Sequence, residues 1–157
     1  MKLDEPQALN LIAAYCSKAE RCEFDVRRKL ARWEIAPEAI ERIVGWLRKE
    51  RFLDDARFAR GFVNDKLRFN KWGKVKIIYE LKKRKISESD YQDALNEFDN
   101  IMFDEQLLHI LRVKVKSVRS KDRYDKRNKL IRFALGRGFA MDSAIKLVDK
   151  VIDENME

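Results

Sequence analysis

The sequence predicts an all-α protein of three tandem three-helix repeats, about nine helices in an elongated, curved array. Three observations carry that prediction. Only five Gly and two Pro punctuate 157 residues, too few for a fold that needs many tight β-turns. Apolar residues recur at helical rather than alternating spacing. They also repeat along the chain at a period of 51 and then 53 residues. Val26, Leu30, Ile35, Ile40, Val44 and Leu47 fall on Ile77, Leu81, Ile86, Tyr91, Leu95 and Phe98, and then on Leu130, Ala134, Phe139, Ala144, Val148 and Val151. A period of this size marks stacked supersecondary units, here residues 1–54, 55–103 and 104–157.

The elements follow in order. Within each copy the matched positions describe a helix, a short corner and a second helix whose stripe packs on the first, and a further helix precedes each pair at about 7–19, 55–68 and 104–119. In the first repeat Pro37 suits the first helical position, with Ile35 and Ile40 as a hydrophobic staple. Asp54 caps the helix that opens the second repeat. In the next corner Ser87-Glu88-Ser89-Asp90 reads as a cap, stapled by Ile86 and Tyr91. In the third repeat Leu107, Leu108, Leu111, Val115 and Val118 form the stripe of the first helix. Ala140 is a poor cap for the last helix, and Asp142 is the alternative.

Composition excludes several classes of function. With 39% charged and 45% hydrophobic residues, the chain is neither disordered nor membrane-embedded. Its longest apolar run, Leu11 to Cys16, is far shorter than a membrane span. The N-terminus lacks the basic-then-apolar order of a signal peptide, so a cytoplasmic location is expected. Gly136-Arg137-Gly138 lacks the further Gly and the Lys-Ser/Thr of phosphate-binding loops. Cys16 and Cys22 point to different faces of any common helix and form no metal pair with the single His109, so buried or half-buried thiols are expected. Neither acids nor histidines cluster as a nuclease needs, and Asp54-Asp55 alone is a weak metal signal. No enzyme activity, metal or cofactor is expected.

The charge is polarised. The chain carries 35 Lys and Arg against 27 Asp and Glu, a formal net charge of +8. Residues 57–85 and residues 112–137 each hold eleven basic and two acidic side chains, which leaves the remainder acidic. Two separated cationic blocks point to a polyanion, either nucleic acid or a protein wrapped around it.

Four stretches resemble one family. Arg51-Phe52-Leu53-Asp54-Asp55-Ala56-Arg57-Phe58-Ala59 resembles the "G-Y-L-D-D-x-R-F-A" signature of the RecX family, regulators of the RecA recombinase. Residues 22–30 resemble its "S-x-x-E-L-R-x-K-L" stretch, residues 72–81 its "G-x-x-R-I-x-x-E-L" helix, and Arg137-Gly138-Phe139 its closing "R-G-F". The resemblance spans about residues 8–151. One departure is local: the family places Gly before the apolar corner residue, where Glu34 and Lys85 stand here and only Gly138 agrees. Left-handed backbone costs a non-Gly residue about 1 kcal/mol, which predicts that the first two of these helices end differently from the third.

The resemblance implies a non-enzymatic regulator that binds RecA filaments on DNA and suppresses their extension, ATPase, strand exchange and co-protease activity. The rival reading is a direct DNA-binding, helix-turn-helix-like regulator. Two stripes are candidate contacts. On the helix over 72–85, Trp72, Lys76, Tyr79 and Lys83 lie opposite the presumed core of Ile77, Ile78 and Leu81, with Lys71 and Arg84 beside them. Alternating aromatics and cations suit single-stranded nucleic acid; alternatively Trp72 and Tyr79 pack between triplets with lysines around them. On the helix over 104–119, His109, Arg112, Lys116 and Arg119 line the face next to the apolar stripe. The partners expected are the RecA filament and the single- or double-stranded DNA within it, bound by a monomer, with no membrane.

Overall fold

The computed structural model describes residues 2–155 and is all-helical, with nine α-helices among those residues: α1 (Glu5–Lys18), α2 (Glu23–Arg32), α3 (Pro37–Lys49), α4 (Asp55–Arg68), α5 (Lys74–Lys83), α6 (Glu88–Asn96), α7 (Asn100–Lys114), α8 (Arg123–Gly136) and α9 (Met141–Glu154). Of the eighteen repeat-matched apolar positions, only Ile40 is half-buried and the rest are buried. The repeat is therefore a repeat of core positions. No helix is long and apolar enough to cross a membrane among the described residues.

Asp4 and Gln7 form a reciprocal capping box at α1. The signals read from the sequence largely act as expected. Pro37 opens α3 behind Ala36. Asp54 accepts the Arg57 N–H at 3.0 Å and so caps α4, and Ser87 accepts the Asp90 N–H at 3.1 Å at α6. At α9 the cap position is Ala140, with no side-chain bond, and Asp142 lies in the first turn.

Contacts group the chain into two compact units, one comprising the residues through Gly61 together with Leu81–Tyr91, the other Phe62–Glu80 with everything from Gln92 on. In the first, α3 packs on α1 and α2 over a core of Ala8, Ile12, Val26, Leu30, Ile43, Val44, Leu47 and Leu53. In the second, α9 packs on both α7 and α8, burying Leu107, Leu111, Leu130, Ile131, Leu147, Val148, Val151 and Ile152.

Two expectations are overturned. The corners at Glu34 and Lys85 end as the third does: φ is 60° at Glu34, 56° at Lys85 and 91° at Gly138. In each corner the next residue's N–H bonds back to the helix at equivalent positions, Ile35 to Leu30, Ile86 to Leu81 and Phe139 to Ala134. Burial of that apolar residue, at 8%, 4% and 4% exposure, accompanies the closing bond and outweighs the left-handed cost. Arg51 after α3 does the same at φ 64°. The other correction concerns α7, which runs over Asn100–Lys114 rather than 104–119. Asp99 caps it early by accepting the Met102 N–H at 2.9 Å, and Val115–Ser117 form a turn. Lys116 and Arg119 thus lie beyond the helix, off any stripe shared with His109 and Arg112.

Candidate nucleic-acid interface

In the second unit a backbone contact joins residues remote in sequence. The N–H groups of Gly73 and Val75, at the start of α5, donate to the carbonyls of Arg137 and Gly138 at 2.8 and 3.0 Å. Two of the orphan donors of a helix N-terminus are thereby satisfied by the α8–α9 corner. Only glycines permit this approach. A Cβ on Gly73 would stand 2.4 Å from the Gly138 oxygen, and one on Gly138 would stand 2.2 Å from the Lys76 Cβ.

This docking builds a cationic groove. Lys71, His109, Ile110, Val113, Lys114, Ser117, Phe133 and Arg137 line an open cleft of about 330 Å³. Arg137 and Lys114 sit over the Phe133 ring at 5.1 and 5.2 Å from its centroid, and the Arg137 guanidinium donates to the Asn70 carbonyl at 3.3 Å. Lys71, in left-handed backbone at φ 57°, donates from Nζ to the Arg68 carbonyl at 2.6 Å. Lys71, Lys114 and Arg137 are half-buried. No carboxylate lines this groove, whereas Glu23 and Asp55 line the groove against Phe24 and Lys85, and Asp104 and Asp142 line the one beside Phe103. Beside it Trp72 packs edge-on against Phe62 at 6.4 Å and holds Lys76 and Lys66 at 4.4 and 4.9 Å from its ring.

The sequence-derived residues divide accordingly. Lys71, beside the first predicted stripe, and His109, from the second, both line the groove. Trp72 and Lys76 meet next to it, with Trp72 half-buried and Tyr79 61% exposed. Ile77 and Leu81 are fully buried and Ile78 only half. Lys83 and Arg84 belong to the other compact unit. Arg112 forms a two-pronged ion pair with Glu154 at 2.9 and 3.2 Å, which raises the guanidinium pKa and lowers that of the carboxyl. Lys116 and Arg119 are exposed, and the Arg119 carbonyl accepts from Lys129.

Lys114 and Arg137 are the residues the stripes missed. Both were visible as members of the second cationic block, but periodicity sorts residues within one helix, whereas Lys71 and Arg137 meet only through a contact between two turns. Other cations of that block are structural. Arg123 and Arg127 pair with Asp153 and Asp149 of α9 at 2.7 Å each, and Lys129 pairs with Asp125 at 3.1 Å.

The first unit holds a different cluster. Asp55 accepts the Glu23 N–H at 2.9 Å and so caps α2, whose own cap residue Cys22 makes no such bond. Burial pushes the Asp55 carboxyl above its ordinary range. Burial acts the same way on Glu23, but the Arg48 and Arg27 guanidiniums bonded to it prevail and hold it low. Cys16 and Cys22 are both buried free thiols, as expected. Burial pushes Cys22 up to about 12, and its thiol donates to Asp25 at 3.2 Å.

Three helical triplets, with one groove lined by cations and no carboxylate, define a helical-repeat protein. The chain matches the models of the first RecX three-helix domain over residues 8–47 and of the second over residues 54–95. It belongs to the RecX family of regulatory proteins. The regulatory protein RecX of Clostridium acetobutylicum is 30% identical over 146 residues, 90% of this chain and 67% of that protein. That of Prosthecochloris aestuarii is 28% identical over 149 residues, 95% of this chain and 96% of its own length. Two crystal structures share the fold: a regulatory protein RecX at TM-score 0.85 and 23% identity, covering 92% of this chain and 73% of that one, and RecX from Lactobacillus salivarius at TM-score 0.82 and 22% identity, covering 96% and 95%.

Proposed function

We propose that this chain binds RecA nucleoprotein filaments and restrains them, inhibiting extension, DNA-dependent ATPase, strand exchange and co-protease activity, and so tempers recombinational repair and the SOS response. Membership of the RecX family carries this reading. It acts by binding and not by catalysis, in the bacterial cytoplasm, as a monomer. The polarised charge supports it physically, because cationic sites on an otherwise acidic chain suit a composite surface of protein and phosphate better than they suit indiscriminate coating of DNA. Trp72, Lys76 and Tyr79 are proposed contacts together with Lys71 and His109. Lys83, Arg84, Lys116 and Arg119 are secondary candidates.

The test is to titrate the purified chain into RecA assembled on single-stranded DNA. The ATPase should fall at amounts well below one chain per RecA, and strand exchange should fall with it. If both are untouched at equimolar chain, the proposal is lost. A regulator of the helix-turn-helix kind would instead select a duplex sequence with RecA absent.

A further inference from the structure

We propose that Ser117 is a phosphorylation site, and that its phosphate folds back onto Lys71, Lys114 and Arg137 and closes the groove they line. Such a modification gives the chain a covalent switch of its own, whatever the chain binds.

Ser117 is placed to accept a phosphoryl group. Residues 115–122, between α7 and α8, form the longest connection between helices among the described residues. Modifying enzymes gain access at such connections, because few backbone bonds must open for the chain to enter their sites. Ser117 is exposed, and its hydroxyl donates to the Lys114 carbonyl at 3.2 Å. Arg112, Lys114 and Lys116 precede it at every second position and Arg119 follows it. Cations before a serine are the charge pattern by which a basic-selective serine kinase chooses its substrate. In the transfer, the serine Oγ–H bond and the terminal phosphoanhydride bond of a nucleoside triphosphate break while an Oγ–P bond forms. The proton passes to the general base of the kinase and the nucleoside diphosphate leaves.

The groove is placed to hold the product. Ser117 lines it with Lys71, Lys114 and Arg137, and no carboxylate does. The three cations are half-buried, and charge sheltered from water without a counter-ion is costly. Phosphoserine carries about two negative charges at neutral pH and three strong acceptor oxygens. On Ser117 it supplies the counter-ion from within the chain, without the entropy loss of association. Arg137 is held ready for it, since the guanidinium lies over Phe133 and donates to the Asn70 carbonyl. One force opposes the seat: the phosphate stands near the C-terminal end of α7, whose dipole disfavours an anion. That end is already bonded, however, because the Lys114 carbonyl accepts the Ser117 and Val118 N–H groups at 3.0 Å each. Three full positive charges outweigh the partial negative charge that is left.

Ser17 is the natural control. It is exposed in the last turn of α1 and its hydroxyl donates to the Ala13 carbonyl at 3.0 Å, so it repeats the helix-end setting. It belongs to the other compact unit and no cation stands in the six residues before it.

The full chain is prepared with phosphoserine installed at Ser117 or at Ser17, and phosphorus NMR follows each phosphate through pH. The phosphate on Ser117 should titrate about one unit below that on Ser17, because neighbouring cations favour its doubly charged form. The difference should vanish in Lys71→Gln with Arg137→Gln, with melting curves to show that the pair folds. Lys71→Gln alone, which should reduce the difference, serves if the pair does not fold. Equal titration of the two phosphates, or a difference that survives both variants, would overturn the seat. Separately, the unmodified chain is incubated with ATP and a basic-selective serine kinase, and the product is mapped by mass spectrometry. Labelling of Ser117 should exceed that of Ser17 about tenfold. Equal labelling, or none at Ser117, would overturn the site. Neither readout contains RecA, so the filament reading stands or falls separately.

Discussion

Asp54 and Asp55 stand side by side yet serve two different helices. Asp54 caps its own helix α4, while Asp55 reaches back to the start of α2 and bonds the Glu23 N–H. Replacing Asp55 by Ala should cost about 1 kcal/mol, the usual loss of a cap, whereas Asn keeps an acceptor and should cost far less. Denaturant unfolding of the two variants checks this. The pH dependence adds a second readout. Because burial raises the Asp55 pKa above 3.8 in the folded chain, the folded state favours the protonated form. Its stabilising contribution is complete below that ordinary value and is lost as pH rises through the raised one. The stability of wild type relative to Asp55→Asn should therefore fall as pH rises from 3.8 through the raised value. A flat or rising difference would mean that the carboxyl is not penalised by its surroundings.

At the scale of elements, the corners carry the stability arguments. Glu34 holds left-handed backbone that glycine adopts without a Cβ clash, so Glu34→Gly should stabilise the chain by about 0.5–1 kcal/mol, read as a raised denaturation midpoint. The opposite holds where two turns meet. Gly138→Ala forces a Cβ into Lys76 at a φ of 91° and should cost about 2–3 kcal/mol. Gly45→Ala, in α3 with open space around it, should gain about 0.5–1 kcal/mol. If Gly138→Ala were as benign as Gly45→Ala, the docking of α5 on the α8–α9 corner would not be tight. Gly73 and Gly138 also account for two of the stretches that resemble the RecX family, since each is needed where the start of α5 meets the α8–α9 corner.

Over the whole molecule, cations fall into two kinds that a charge count merges. Arg112, Arg123 and Arg127 face carboxylates of α9 within the second unit, and Lys71, Lys114 and Arg137 face none in their groove. Arg127→Glu sets a carboxylate against Asp149, so it should lower the melting temperature. Any loss of partner binding should follow from that instability, and a variant that bound weakly at an unchanged melting temperature would place Arg127 in the interface instead. Arg112→Glu is a poor probe of binding for the same reason, because Glu154 would be left beside a second carboxylate.

The sequence by itself determined the helices, their threefold recurrence, the buried positions and the caps at Asp54 and Ser87, because these follow from local spacing and from side chains a few residues apart. The family was legible for the same reason, as short motifs on those helices. The end of α7 was not, since Val115 and Val118 continue the apolar spacing past the point where the backbone turns. Nor were the left-handed corners at Glu34 and Lys85, where burial of the next residue overrides a local preference. Which cations are paired and which line the groove was settled only by the tertiary structure. Ion pairs and grooves depend on distances between side chains far apart in sequence, and those distances exist only once α5 has docked on the α8–α9 corner.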